Sequence, residues 1–210
     1  DKSYLDFKFS PKKMSSSGAL FDLEKLGNIS KNYISKMTKD EVYTNLVNWS
    51  KEYDKEFNSL LVKYEDYTKN VLNIEREQKK PRKDYSCYSD IKSQIFYMYD
   101  ELYNPASYEW GKINNKEEIT NILNTYMEKY FNITDKEAWF NNIKTLTDEL
   151  GYCSNMKEYK ENPDKYKGSV ADISTVLRVA ITSRSMTPDL YEIMRLLGKD
   201  RIINRIKNIK

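Results

Sequence analysis

Leu177-Arg178-Val179-Ala180-Ile181-Thr182 runs on to Thr187-Pro188-Asp189-Leu190 and then to Leu196-Leu197-Gly198-Lys199. Ile173, Val176, Leu177, Ala180 and Ile181 keep the i, i+3, i+4 spacing of one apolar helical face. Thr187 reads as the N-cap of a second helix, with Pro188 at its first position, where a missing N–H costs nothing. Leu190, Ile193, Met194 and Leu197 supply the stripe of that helix, and Gly198 closes it. Arg178 falls off the first stripe, close to the turn that opens the second helix. Two packed helices with a cation near an exposed turn follow from this spacing alone.

The same grammar extends through the chain. Thr38 and Glu41 form a capping box, followed by the stripe Val42, Leu46, Trp49 and Tyr53. Phe57, Leu60, Leu61 and Tyr64 make another stripe, and Asp66 to Glu77 reads as a third helix with Val71, Leu72 and Ile74 inward. Lys79-Lys80-Pro81-Arg82-Lys83 must break it, because proline cannot continue a helix. Ile91, Ile95, Phe96, Met98, Tyr99 and Leu102 predict one further helix. The stretch from Asn104-Pro105 to Gly111 has no stripe and is the best internal boundary. Beyond it, Asn115 with Glu118 and Thr134 with Glu137 read as helix starts, the latter leading to Phe140, Ile143, Leu146 and Leu150. Tyr159 to Gly168 is polar and loop-like, and Ile202, Ile203, Ile206 and Ile209 place a helix at the end. No strand-length alternation survives. The expected fold is all-α and multihelical: residues 1–30 a connector, 31–105 one helical subdomain and 106–210 a second.

Composition narrows the chemistry. The 210 residues are 39% hydrophobic and 32% charged, with only 6 Gly and 5 Pro, which argues against many short strands. No run approaches a membrane span, and Asp1-Lys2-Ser3-Tyr4 lacks a signal pattern and reads as a cut through a longer protein. Cys87 and Cys153 lie far apart with no CxxC, so no disulfide framework or zinc site is suggested and a reducing cytoplasm is the default. Histidine is absent, which removes Ser-His-Asp and Cys-His nucleophiles and most catalytic zinc sites. No catalytic residue and no metal ligand is assigned. The 18 tyrosines could be base-stacking platforms, but core and core-edge positions are the stronger reading in a chain rich in Lys, Asn and Ile.

Net charge is only +3, yet residues 175–210 carry eight Arg and Lys against three carboxylates, a local balance of +5 that leaves −2 for the remainder. A basic end on a near-neutral body suits local contact with phosphates, or else is a solvated helix terminus complementing the macrodipole. A second basic segment gathers Arg76, Lys79, Lys80, Arg82 and Lys83 in one loop held by Pro81. An ordered arginine there can present a planar fork to a base edge or phosphate. Such runs are more often plain solvated loops.

The literal residues LRVAIT, TP.L, LLGK and I..RI resemble the C-terminal anticodon-binding region of bacterial glutamyl-tRNA synthetases. The resemblance covers roughly residues 7–210. It is strongest over 170–206 and over 18–26, where Gly18-Ala19-Leu20-Phe21-Asp22-Leu23-Glu24-Lys25-Leu26 resembles the stretch leading from the stem-contact region. Lys13-Met14-Ser15-Ser16-Ser17 is only superficially like the ATP-binding KMSKS loop, which would lie upstream. The resemblance implies a fragment that selects tRNA-Glu by its anticodon arm. ATP and Mg²⁺ belong to the full-length enzyme and no cofactor to this part; no membrane is involved, a monomer is expected, and the location is cytoplasmic.

Site residues follow from the same resemblance. Arg82 stands at the distance from Phe96-Tyr97-Met98-Tyr99-Asp100 that the family uses for an arginine reading the third anticodon base, favouring C over G. Arg178, Thr187 and Leu190 would lie near the first base, Leu190 either covering an unstacked base or packing in the core. Lys80, Lys83, Arg184 and Lys199 are candidate phosphate contacts. Ser183 stands where the family commonly has glycine, which leaves the geometry of that turn, and with it the role of Arg184, open. Two rivals stay open: a related synthetase of non-discriminating glutamyl or glutaminyl type, and a non-enzymatic helical RNA-binding module.

Overall fold

The computed structural model describes residues 4–15 and 21–209. Ser16, Ser17 and Gly18 to Leu20, from the two N-terminal motifs quoted above, lie outside the described residues, as does Lys210 of the basic end. Among the described residues the chain forms eleven α-helices and no strand, so the all-α expectation holds.

The first group begins with α1 (Leu23–Ser35), started by the Asp22 carboxylate accepting the Lys25 N–H. The Thr38–Glu41 capping box starts α2 (Lys39–Tyr53) as expected. Asp54 then ends one helix and caps the next, α3 (Lys55–Lys63), and α4 (Glu65–Leu72) follows at once. These helices pack through Val42, Leu46, Phe57, Leu61 and Leu72, all essentially inaccessible. Tyr53, placed on the inner stripe by its spacing, instead points outward. The helix expected over Asp66 to Glu77 stops at Leu72, because Glu75 turns left-handed (φ 56°) and Arg76 folds back. Arg76 Nε donates to the Leu72 carbonyl at 2.8 Å and Nη1 to the Ile34 carbonyl at 2.7 Å, satisfying two helix ends from inside the core. α5 (Tyr88–Ile95) also ends early, tightening into a 3-10 turn at Phe96–Met98. Ile91, Ile95, Met98 and Tyr99 are all buried, so apolar periodicity carried no mark of that ending.

The second group holds α6 (Lys116–Thr125), capped by Asn115 as expected and extended by a π turn at Tyr126–Tyr130. α7 (Lys136–Glu149) is capped by Asp135 and not by Thr134, whose hydroxyl and N–H both donate to Asn132. The supposed loop from Tyr159 contains the end of α8 (Met156–Glu161) and a 3-10 turn at Pro163–Lys165. α9 (Val170–Thr182) is started by a Ser169–Asp172 capping box and ends on Ser183 in the left-handed region (φ 62°). α10 (Leu190–Leu197) is capped by Asp189, two residues later than expected, and closes on Gly198 (φ 79°). α11 (Lys199–Lys207) completes the chain's described helices.

One continuous core runs from Ile34 to Ile206. Tyr97, Tyr99 and Tyr126 are among its largest buried side chains, and Tyr43, Tyr85, Tyr152 and Tyr191 are buried too, so core positions take seven of the 18 tyrosines. α10 rests on both α4 and the 3-10 turn at Phe96–Met98, and α9 packs on that turn too. Segments far apart in sequence are thereby brought to one edge of the molecule.

Candidate nucleic-acid interface

That edge is built around α10's first turn. From α9, Arg178 reaches across and its Nη1 donates to the Pro188 carbonyl at 2.7 Å, to the Thr187 carbonyl at 3.3 Å and to the Thr187 hydroxyl. Burial pulls the guanidinium below its ordinary pKa, an effect opposed by the phenol of Tyr97. Thr187 is therefore a buried partner of Arg178 and not a helix cap, which explains why the helix begins later than Pro188. Asp189 takes the cap instead, accepting the Glu192 N–H at 3.0 Å and the Lys136 ammonium at 2.7 Å. The partnership with Asp189 raises the Lys136 pKa.

Leu190 is buried (3% exposed) and lies on the wall of a cavity of about 520 Å³. Its two readings are compatible: the side chain packs inward and still forms part of a surface hollow. Arg178, Asp189, Lys136, Trp139 and Phe140 share that wall. Trp139 is fixed by its indole N–H donating to Tyr126 Oη at 3.1 Å, while Phe140 stays 40% exposed. Sequence spacing counted Phe140 as core. The signal to the contrary is phase: Trp139, Ile143 and Leu146 already complete the i, i+4, i+7 stripe and are the residues found buried.

Arg82 reaches the start of α10 through Glu75. Its Nε is held by both oxygens of Asp84 at 2.7 and 2.8 Å, and its Nη1 lies 3.8 Å from the Glu75 carboxylate. Its backbone N–H donates to the Glu75 carbonyl at 2.9 Å. The Glu75 carboxylate in turn accepts the Asp189 N–H at 3.1 Å. Arg82, Arg178, Thr187 and Leu190 thus belong to one constellation although about a hundred residues separate the first from the rest. Lys80 and Lys83 are exposed on the Arg82 loop, and Lys83, with Lys36 and Lys79, lines a groove of about 910 Å³ between that loop and the end of α1.

Other basic residues fall elsewhere. Lys199 is exposed at the far end of α10, roughly 12 Å along an eight-residue helix from Asp189. Arg184 Nη1 donates to the Ser93 carbonyl at 3.1 Å, and its loop is tied down where Glu109 accepts from the Ser185 N–H and hydroxyl, each at 3.0 Å. Two arginines leave the surface altogether. Arg76 is buried at the helix ends already described, and Arg205 donates to the carbonyls of Tyr97 and Ile181 at 2.7 and 2.8 Å while lying 3.8 Å from the Tyr103 ring centroid. The basic loop and the basic end are each one cation weaker outwardly than their sequences suggest. Among the described residues no cluster of three His, Cys, Asp or Glu could hold a metal ion, and no helix is long and apolar enough to cross a membrane.

Residues 56–210 match the family model for the anticodon binding domain, and the chain belongs to that family. Over nearly its whole length it is also similar to bacterial glutamate–tRNA ligases, matching their C-terminal portion. It is 43% identical to the glutamate–tRNA ligase of Clostridium perfringens (strain SM101) over 210 residues, covering 99% of this chain. It is 42% identical to that of Acetivibrio thermocellus over 209 residues and 35% identical to that of Sorangium cellulosum over 207. The chain spans 38% of the length of the Clostridium perfringens relative and 36% of that from Sorangium cellulosum.

Proposed function

We propose that this chain is the tRNA-selecting part of a glutamate–tRNA ligase, reading the anticodon of tRNA-Glu. One observation carries the reading: Arg82 and the Arg178–Thr187 turn flank the first turn of α10 and are joined through Glu75. The Nε of Arg82 is committed to Asp84, so its terminal nitrogens are the donors left to meet a base. Cytosine presents two adjacent acceptors, O2 and N3, on its Watson–Crick edge; guanine presents N1–H and N2–H there. Donors facing donors leave buried groups unpaired, so C is favoured over G at the third position. Arg178 holds the opposite turn, and the hollow of Leu190, Trp139 and Phe140 offers an apolar face to an unstacked first base.

In this reading Lys80, Lys83 and Lys199 contact phosphates and Arg184 steadies its loop. Residues 1–30 connect to the stem-contact region, with helical subdomains over 31–105 and 106–210. The complete enzyme acts as a cytoplasmic monomer. It uses ATP and Mg²⁺ to join glutamate to the tRNA, and anticodon binding here helps position the acceptor end there. Comparing the chain's affinity for tRNA-Glu and tRNA-Gln at two salt concentrations tests this. Preference for tRNA-Glu, with affinity falling as salt rises, supports it. Equal affinity points to a non-discriminating or glutaminyl relative, and absent salt dependence to a helical module that does not bind RNA through phosphates.

A further inference from the structure

Glu75 carries no motif, yet it touches Arg82 on one side and, on the other, the Asp189 N–H beside the Pro188 carbonyl that Arg178 holds. Its φ of 56° is a conformation that side chains with a Cβ avoid, and nothing in the local sequence asks for it. Such residues persist where their surroundings over-determine them. Here the Glu75 carbonyl accepts the Arg82 N–H at 2.9 Å and its carboxylate accepts the Asp189 N–H at 3.1 Å while facing Arg82 Nη1 at 3.8 Å. Next to it, Arg76 is locked onto the Leu72 and Ile34 carbonyls, so the backbone cannot relax in that direction.

The peptide unit between Pro188 and Asp189 is the other half of the device. Its carbonyl is held by Arg178 at 2.7 Å and its N–H by Glu75 at 3.1 Å. One rigid planar group is gripped from opposite sides by the two arms that reach the two arginines. Displacing Arg82 alters the charge that Glu75 faces, and displacing Glu75 frees the peptide that Arg178 braces.

We propose that Glu75 is a positioning residue that couples the two arginines, so that the base met by Arg82 alters how strictly the Arg178 turn reads the other. This rests on the functional reading above. A wrong third base then degrades first-base selection, and errors at both positions cost less than their separate costs multiplied.

The test uses four anticodon stem-loop RNAs: the tRNA-Glu sequence, one changed at the first base, one at the third, and one at both. Affinities are measured for the wild-type chain, Glu75→Gly and Glu75→Gln, with thermal melts alongside. Glycine accepts φ 56° freely, and glutamine keeps an oxygen for the Asp189 N–H. In the wild type the double penalty should fall short of the product of the single penalties by about threefold or more, a shortfall typical of groups in one network. Glu75→Gly should restore the simple product with its melt retained, and Glu75→Gln should lie between. Should glycine unfold the chain, loss of part of the shortfall in the glutamine variant is the supporting result and an undiminished shortfall overturns the proposal. Wild-type penalties that multiply cleanly, or a wild-type shortfall kept by a folded Glu75→Gly, also overturn it. Absence of selection at either base in the wild type overturns the anticodon reading itself, a result visible before any variant is made.

Discussion

Replacing Arg178 with methionine keeps most of the apolar stem of the side chain and removes every donor. The wild-type guanidinium serves the Pro188 carbonyl, the Thr187 carbonyl and the Thr187 hydroxyl, all through Nη1. Hydrogen bonds to a charged group contribute about 1.5–3 kcal/mol each at most. The three share one nitrogen, and Pro188 is partly open to water, so they cannot simply add. Removing the guanidinium also recovers the cost of its burial. A net loss of about 2–3 kcal/mol follows, which for a chain of this size lowers Tm by about 4–12 °C. Circular dichroism melts at fixed protein concentration measure it. Stem-loop binding well below the melt should show first-base selection lost while third-base selection weakens less. An unchanged melt together with intact first-base selection would mean that Arg178 is no brace, because the Thr187–Asp189 turn would then stand without it.

Ser183→Gly removes a Cβ from a left-handed position and should stabilise the chain by about 0.5–1 kcal/mol, seen as a higher denaturant midpoint with unchanged slope. A lower midpoint would mean that the Ser183 hydroxyl bond to the Thr182 carbonyl (2.6 Å) outweighs the strain. Phe140→Ala should weaken stem-loop binding by about 1–3 kcal/mol and leave the melt nearly unchanged, since the ring is 40% exposed; the reverse pattern would return it to the core. Burial pushes the Asp54 carboxyl up, but its bonds to Lys92 and to the Phe57 N–H outweigh this and leave it below the usual aspartate range. Its stabilisation is thus present at neutral pH and lost as pH falls below about 4, so Asp54→Asn should flatten that acid limb; an unaltered limb would remove Asp54 from the account.

What the sequence made legible followed from local rules. The capping box at Thr38 and the Asn115 cap are each set by residues three apart, and both stand where expected. The closure at Gly198 was likewise written locally, whereas Ser183 was marked only by the resemblance, as a serine where the family commonly has glycine, and it takes the left-handed conformation itself. The errors came where two candidates compete or where a distant group decides. Thr134 and Asp135 are both good caps one residue apart, and the carboxylate prevailed. Thr187 lost its cap because Arg178, nine residues away, claims its hydroxyl. Charge alone could not separate Arg76 and Arg205, which bind carbonyls inside the core, from Arg82, which meets solvent. Arg82 and Arg178 were candidates residue by residue, but their meeting at the start of α10 was not written in the sequence. Glu75 remained invisible, because its role depends on a contact to Asp189 across 114 positions of sequence.

If Arg82 reads the third anticodon base, stem-loops differing only by C or G at that base must bind this chain unequally. Their affinities for the wild-type chain and for Arg82→Ala should show a wild-type preference for C that falls by about 1–3 kcal/mol in the variant, with little change in binding of the G form. An equal loss for both RNAs would make Arg82 a phosphate contact, and no loss for either would contradict the account outright.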